Sequence, residues 1–142
     1  MTDRTTWTPE ETILMGTEFG ANLRGGDVVA LTGTLGSGKT CFTKGVRVAL
    51  GVRAHVGSPT FTLINEYPGS SVNVVHIDLY RLSNGRELGE LGLLEYFTAD
   101  RICLIEWPEL ALAILPEDHY TVMFRHGSSA MERLISIDRT VG

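Results

Sequence analysis

The stretch GTLGSGKT, Gly33 to Thr40, decides the fold. It follows the short apolar run Val28 to Thr32 and leads into a segment, Lys39 to Leu50, that is predicted to be a helix closed by Gly51. It satisfies the pattern G-x-x-x-x-G-K-[ST], which ordinary residue frequencies produce by chance on the order of once in a hundred chains of this size. Between a strand and a helix, such a loop offers backbone N–H groups and a helix N-terminus to an anion. The stretch therefore predicts a nucleotide-binding loop.

The residues of this loop suit phosphate binding individually. Gly33, Gly36 and Gly38 let the backbone bend around a phosphate without a Cβ in the way. Lys39 can reach the β- and γ-phosphates, and the hydroxyl of Thr40 can bind Mg²⁺. The alternative, a glycine-rich turn with an incidental lysine, is disfavoured by the strand and helix on either side.

The composition predicts one ordinary globular domain covering residues 1–142. Apolar residues make up 43% of the chain and charged residues 20%. Cys41 and Cys103 are too few for a disulfide framework and are predicted to be reduced. Cys41 lies in the first turn of the loop helix, and we interpret it as a small packed residue rather than a reactive thiol. No apolar run approaches the roughly 20 residues of a membrane helix, and MTDRTTWTPEE has no apolar h-region, so a cytoplasmic protein without membrane contact is expected.

The charge balance bears on partners. The net charge is -5, and lysine and arginine are scattered without a basic run. A protein that binds nucleic acid by itself usually has a basic face. Any nucleic-acid role is therefore expected to be carried out through another subunit.

A helix is predicted before the loop. Thr8, Pro9 and Glu11 form a helix start, with a hydroxyl cap, a proline at the first position and a glutamate at the third. The helix is expected to run to about Leu23. The residues expected to be buried along it are Ile13, Leu14, Phe19 and Leu23.

The rest of the pattern predicts an α/β fold with a mixed sheet. The stretches 61–67 and 72–80 read as a hairpin, 101–106 as a covered strand, and 119–125 with 133–139 as a terminal antiparallel pair. A helix is expected over 86–97, and a short helical segment from Trp107 and Pro108.

Two predicted strands end in an acid. Asp78 closes VNVVHID and Glu106 closes RICLIE, at the sheet edge where the phosphate loop also begins. One carboxylate can hold Mg²⁺ directly or through water, and the other can orient or deprotonate an attacking water. We assign the metal to Glu106. A solvated strand end is the alternative, and His76, on the same strand face as Asp78, is expected to be packed and hydrogen-bonded rather than catalytic.

Two further features concern the nucleotide. The sequence has no N-K-x-D element, by which guanine-binding GTPases read their base, so ATP is favoured over GTP. Thr60, in Ser-Pro-Thr, lies roughly where a P-loop switch places a threonine that senses the γ-phosphate. An ordinary turn before a strand is an equal alternative.

Together these residues resemble one family, the TsaE (YjeE) ATPases of bacterial tRNA threonylcarbamoyladenosine biosynthesis. The matching stretches run in order through nearly the whole chain: GTLGSGKTCFTKG, GSPTFTLINEY, HIDLYRL and LIEWPE. The resemblance implies a small three-layer P-loop NTPase-like fold, with a mixed, partly parallel sheet flanked by helices. It also implies an ATPase that uses Mg²⁺ and acts with TsaB and TsaD. That partner complex transfers a threonylcarbamoyl group to the adenosine beside the anticodon, and ATP hydrolysis would reset it, with tRNA contacted only through the complex.

The resemblance also assigns residues by position. It places around the phosphates Leu35, Gly36, Ser37, Gly38, Lys39, Thr40 and Cys41. It gives Mg²⁺ to Thr40 and Glu106, and it puts near the nucleotide Asp78, Thr60 and Trp107. The catalytic set is Lys39, Asp78 and Glu106, and the residues expected to face the partner are Tyr80 and Arg81. Two positions depart from the family pattern, Thr34 where an aspartate is usual and Cys41 where a threonine is usual.

Two other functions are compatible with the phosphate loop. A small-molecule kinase uses the same loop to position phosphoryl groups, but it would need an acceptor pocket and usually a lid carrying arginines, and no arginine-rich lid segment is evident. A nucleotide-gated binding module would hydrolyse ATP slowly or not at all by itself. Phosphorylated acceptor or partner-stimulated phosphate release would separate these functions.

Overall fold

The computed structural model describes residues 2–34, 36–53, 64–79, 86, 89 and 92–142. Within them are seven strands: β1 (Thr2–Thr6), β2 (Val28–Gly33), β3 (Ile64–Pro68), β4 (Asn73–Asp78), β5 (Arg101–Glu106), β6 (His119–His126) and β7 (Arg133–Thr140). Two α-helices are described, α1 (Pro9–Gly20) and α2 (Lys39–Ala49), together with two 3₁₀ segments, Leu93–Tyr96 and Pro108–Ile114.

The described strands form one mixed sheet in the order β1-β7-β6-β2-β5-β4-β3. The four central strands, β6, β2, β5 and β4, are parallel, whereas β3, β7 and β1 pair antiparallel. The predicted hairpin and the predicted terminal pair are therefore confirmed. Because the central strands are parallel, their carboxyl ends meet at one edge, where the loop after β2 and the acids of β4 and β5 lie together. The turn from β6 to β7 falls at the same edge.

The sheet is covered on both faces, as a three-layer α/β fold requires. The two α-helices pack on one face, with Met15, Phe42 and Val46 against apolar side chains of β2 and β5. On the other face, Leu93 and Ala111 of the 3₁₀ segments pack against alternate residues of the same strands. The fold class predicted from the sequence is confirmed.

Helix α1 begins as the sequence predicts. The hydroxyl of Thr8 accepts a hydrogen bond from the Glu11 N–H (3.1 Å), and the Glu11 carboxylate accepts one from the Trp7 N–H (2.7 Å). The N-cap is thus the predicted Thr8, while Glu11 reaches back to the residue before the cap rather than to the cap itself, and Pro9 occupies the first turn. The helix ends at Gly20, three residues before the predicted end.

One predicted core residue of α1 is wrong. Leu14 is 58% exposed, whereas Leu23 is buried and both Ile13 and Phe19 are partly buried. The side of α1 that faces α2 carries glycine, so the helices approach closely: a Cβ at Gly16 would lie 2.1 Å from the carbonyl oxygen of Phe42. The tightest helix contact is therefore made by backbone rather than by leucine.

Strand β1 was not predicted, because the polar stretch TDRTT lacks apolar alternation. It is a strand because it pairs with β7, for example Thr6 with Arg133. Of the helix predicted over 86–97, positions 87, 88, 90 and 91 lie outside the described residues. Arg86 and Gly89 are helical, whereas Leu93–Tyr96 is a 3₁₀ segment. No helix in the described ranges is long and apolar enough to cross a membrane.

Candidate functional site

The loop after β2 has a backbone that requires glycine. Gly33, Gly36 and Gly38 have φ angles of 147°, 75° and 111°, in the region that L side chains rarely adopt. A Cβ at Gly33 would also lie 2.7 Å from the carbonyl oxygen of Phe124. Gly38 is the N-cap of α2, so the chain turns from loop to helix in a left-handed conformation. The backbone fits the phosphate loop that the sequence predicts.

The first turn of α2 faces a cavity of about 180 Å³. Among the described residues, the first helical bond runs from the Phe42 N–H to the Gly38 carbonyl (3.0 Å), and the N–H groups of Thr40 and Cys41 have no backbone partner there. Thr40 and Cys41 line the cavity together with Gly36 and Gly38. Unpaired N–H groups and the positive end of the helix dipole make this turn suitable for binding an anion.

Lys39 is held at the base of the cavity. The residue is only 5% exposed, and its Nζ donates to the Gly33 carbonyl oxygen at 2.7 Å. The same ammonium lies 3.9 Å from the centre of the Trp107 ring, a cation–π contact. Burial lowers the pKa of Lys39, although the charges of Glu106, Asp78 and Glu109 favour the protonated form. The lysine is thus desolvated but surrounded by groups that favour its positive charge.

Glu106 is the acid that reaches the cavity. Its Oε2 lies 2.5 Å from Nε2 of His76, and only 14% of the Glu106 side chain is exposed. Burial alone would raise the pKa of Glu106, but the hydrogen bond from His76 and the charges of His76, Lys39 and Arg47 outweigh it, so the pKa is lowered. The site therefore holds an ionised carboxylate in a partly dry position.

Asp78 and Trp107 lie directly beside Glu106. Asp78 is in register with Glu106 on the neighbouring parallel strand, and the Leu79 N–H donates to the Glu106 carbonyl oxygen (3.1 Å). Trp107 has a φ of 57°, and it is the only non-glycine residue with a positive φ in the described part of the chain. Such a conformation is costly, and it turns the chain sharply after β5. The ring is thereby placed next to the lysine.

Most predicted site residues converge. The cavity is lined by Gly36, Gly38, Lys39, Thr40, Cys41 and Glu106. Ser37 is buried behind the loop, where its N–H and hydroxyl both donate to the Thr34 carbonyl oxygen. The predictions for Leu35, Thr60, Tyr80 and Arg81 concern residues outside the described ranges.

The sequence analysis missed one wall of the cavity. That wall comes from the start of α1 and from the β6–β7 turn, and its residues are Thr8, Pro9, Thr12, Met131 and Arg133. The helix start was recognisable, but nothing local in the sequence indicates that it meets the loop. The contact of His76 with Glu106 was also missed, although hydrogen bonding of this histidine was expected.

Comparisons with known proteins agree with this architecture. The family model described as "Threonylcarbamoyl adenosine biosynthesis protein TsaE" matches residues 6–135. The chain is 41% identical over 117 residues to the tRNA threonylcarbamoyladenosine biosynthesis protein TsaE of Bacillus subtilis (strain 168), covering 82% of this chain and 73% of that protein. It is 47% identical over 90 residues to the protein of the same name from Haemophilus influenzae, covering 63% of this chain and 57% of the relative.

The fold of a solved relative is similar. The crystal structure of YdiB from Bacillus subtilis superposes with a TM-score of 0.82 at 35% identity, covering 99% of this chain and 86% of that chain. Sequence and structure therefore agree over nearly the whole chain, and the chain belongs to the TsaE family, whose members are named for tRNA threonylcarbamoyladenosine biosynthesis.

Proposed function

We propose that this protein is the Mg²⁺-dependent ATPase subunit of the machinery that makes threonylcarbamoyladenosine in tRNA. The observation that carries the proposal is the convergence of three features on one cavity: the open first turn of α2, the buried Lys39, and the ionised Glu106. An anion-binding turn, a cation and a carboxylate are the groups that a magnesium nucleotide site needs.

The phosphates of the substrate ATP would bind at the loop. The N–H groups at the start of α2 donate to phosphate oxygens, and Lys39 moves its ammonium from the Gly33 carbonyl toward the β- and γ-phosphates. The ammonium is already buried, so its attraction for phosphate is stronger than that of an exposed lysine. Trp107 limits the positions open to the lysine by contacting it from one side.

The donor set fits Mg²⁺. Thr40 offers a hydroxyl and Glu106 a carboxylate, both oxygen ligands, and Mg²⁺ usually takes only one or two protein carboxylates besides water and phosphate. The described residues contain no cluster of three or more His, Cys, Asp or Glu side chains that could hold a metal, so the ion would be shared with the substrate. When bound, Mg²⁺ would neutralise charge on the phosphate oxygens.

Hydrolysis then requires a positioned water. A water molecule attacks the γ-phosphorus, the bond from that phosphorus to the β–γ bridging oxygen breaks, and ADP leaves. Asp78, in register with Glu106, is the carboxylate proposed to orient the water and accept its proton, while Glu106 serves the metal. The hydrogen bond from His76 keeps one Glu106 oxygen engaged, which fixes the direction of the other.

The proposed partners are TsaB and TsaD, with tRNA contacted only through the complex, in the cytoplasm. The names of the relatives place them in tRNA modification. The net charge of -5 supports indirect contact, since a basic face is usual for direct tRNA binding.

Binding of nucleotide is tested by titration calorimetry with Mg-ATP. Lys39→Ala is expected to weaken binding roughly ten- to hundredfold, the range for losing a hydrogen bond to a charged group. Lys44→Ala, an exposed lysine on the same helix, is the matched control and should bind as the wild type does. Equal affinities for the wild type and Lys39→Ala would remove the phosphate loop from the proposal.

Turnover is tested by phosphate release with and without TsaB and TsaD. We expect the partners to stimulate release, and Glu106→Gln to abolish the stimulation. Incubation with a metabolite pool should yield free phosphate only; a phosphorylated acceptor would establish a kinase instead. If the partners give no stimulation and Glu106→Gln changes nothing, the ATPase proposal is wrong.

A further inference from the structure

The phosphate loop is contacted by a residue far away in the sequence. Arg133, the first residue of β7, donates from Nε to the Gly36 carbonyl oxygen at 3.1 Å. Its Nη1 donates to the carbonyl oxygens of Ala130 and Glu132, both at 3.0 Å. The guanidinium is therefore fixed against the β6–β7 turn and reaches across to the loop from that support.

This contact fixes one peptide of the loop at both ends. The carbonyl between Gly36 and Ser37 is bound by Arg133, and the N–H of the same peptide donates to the Thr34 carbonyl oxygen (3.2 Å). Gly36 has a φ of 75°, and an added Cβ there would meet nothing within 4 Å, so packing does not restrain it. The hydrogen bonds therefore do the restraining.

The orientation of that carbonyl matters for an anion site. A loop binds phosphate by turning N–H groups inward and carbonyl oxygens outward, since an inward carbonyl would repel the anion. Arg133 also lines the cavity with Lys39, and its Nη2 has no hydrogen-bond acceptor in the part of the chain that the structure describes. It thus brings a second positive charge to the phosphate end.

We propose that Arg133 is a positioning residue of the nucleotide site, which holds the Gly36–Ser37 peptide in one orientation, with its carbonyl oxygen bound to the guanidinium rather than free to face a phosphate, so that the loop is preorganised for the β- and γ-phosphates. This inference rests on the proposed nucleotide binding. It predicts that affinity for phosphates, rather than the fold alone, depends on the planar fork of this side chain.

The test is calorimetric titration of the folded protein with Mg-ADP and with magnesium and the non-hydrolysable analogue AMP-PNP. Arg133→Ala is expected to weaken both ligands about tenfold, the effect of losing one hydrogen bond from a charged group. Arg133→Lys should weaken them as much, because lysine keeps the charge but lacks the Nε–H donor and the fixed fork. Arg139→Ala is the matched control: it removes an exposed arginine of the same strand whose contacts are with Tyr120.

The outcomes separate the two proposals. If the wild type binds neither ligand, the proposed function fails. If the wild type binds and both Arg133 variants bind equally well, only the role of Arg133 is refuted. Restoration of affinity by Arg133→Lys would show that charge, not positioning, matters. A lower Tm with an unchanged Kd, measured well below that Tm, would mean a merely structural contact.

Discussion

The carboxylate of Glu106 and the imidazole of His76 form a close polar pair in the candidate site, at 2.5 Å. Successive side chains of a strand point to opposite faces of the sheet, so residues two positions apart lie on the same face and can reach the same neighbour on the next strand. His76 lies two residues before Asp78 on β4, so its ring reaches the tip of β5 diagonally. Sequence reasoning placed the two residues on two strands that end at the same edge of the sheet, but only the parallel pairing of β4 with β5 brings the two side chains together.

Replacing His76 by alanine is expected to raise the pKa of Glu106, because burial then acts without the hydrogen bond that opposes it. In the wild type the folded-state pKa lies below the ordinary 4.5, so the ionised group stabilises the fold above about pH 4.5 and this stability is lost as the pH falls through the folded-state pKa. His76→Ala should lower the free energy of unfolding by about 1–3 kcal/mol at pH 7.

The measurement is urea unfolding of both proteins between pH 3 and pH 7, with an NMR titration of the Glu106 carboxyl. The difference in stability between the wild type and His76→Ala should shrink toward acid pH, where the carboxylate is protonated in both proteins. His126→Ala, which removes an exposed histidine, serves as the control. A Glu106 pKa that does not move in His76→Ala would contradict the explanation.

At the scale of elements, the sequence predicted what local chemistry determines. Helix α2 was predicted to within about one residue because glycines bracket it, and the acid-ended strands were found because most residues of β4 and β5 before the acid are apolar. Strand β1 was not predicted, because its five polar residues become a strand only by pairing with β7, which lies far away in the sequence. The burial of Leu14 was mispredicted because apolar periodicity ignores contacts made by glycine.

The crossing of α1 and α2 is expected to tolerate no side chain at Gly16. An alanine Cβ there would lie 2.1 Å from the Phe42 carbonyl oxygen, on a backbone that cannot yield without separating the helices. Gly16→Ala should therefore destabilise the fold by about 1–3 kcal/mol, as overpacking usually does. Urea unfolding measures the change.

Leu14→Ala is the control for this prediction. Leu14 lies on the same helix but is 58% exposed, so its truncation should change stability by no more than about 0.5 kcal/mol. Equal stability of Gly16→Ala and the wild type would contradict a tight contact between α1 and α2 at Gly16. A larger loss of stability in Leu14→Ala than in Gly16→Ala would contradict it as well.

For the molecule as a whole, the sheet order assembles a site that no single segment contains. The loop, the two acids, the start of α1 and the β6–β7 turn come from five parts of the chain and meet at one edge of the sheet. The half of the site formed by the glycine loop and the two acids was predictable, because its residues are contiguous or follow recognisable strands. The wall formed by the start of α1 and the β6–β7 turn was not predictable, because Arg133 lies 97 residues away from Gly36, which it contacts.

The rate at which the Cys103 thiol is alkylated measures unfolding of the whole protein. Burial raises the pKa of its thiol to about 12, and the residue is 1% exposed, so it should react with iodoacetamide only when the protein unfolds. A ligand that binds only the folded state raises the free energy of unfolding by about 2.7 kcal/mol when its concentration is one hundred times its Kd. Mg-ATP at that concentration should therefore slow the alkylation of Cys103 roughly a hundredfold, provided that folding and unfolding are in equilibrium.

Mass spectrometry of the Cys103 peptide gives the rate, and the half-buried Cys41 provides an internal comparison with a more accessible thiol. Adenosine at the same concentration is the control ligand, because it lacks the phosphates. Alkylation of Cys103 that Mg-ATP leaves unchanged would mean that the nucleotide does not stabilise the folded protein.

The pairing of Thr6 with Arg133 joins the entrance of α1 to the first residue of the last strand. During synthesis, the glycine loop and Lys39 leave the ribosome about 90 residues before Arg133 does. Until the final strand is made and docked, the emerging chain has a phosphate loop without its opposite wall. The wall of the cavity that contains Arg133 is therefore completed only after β7 has been synthesised.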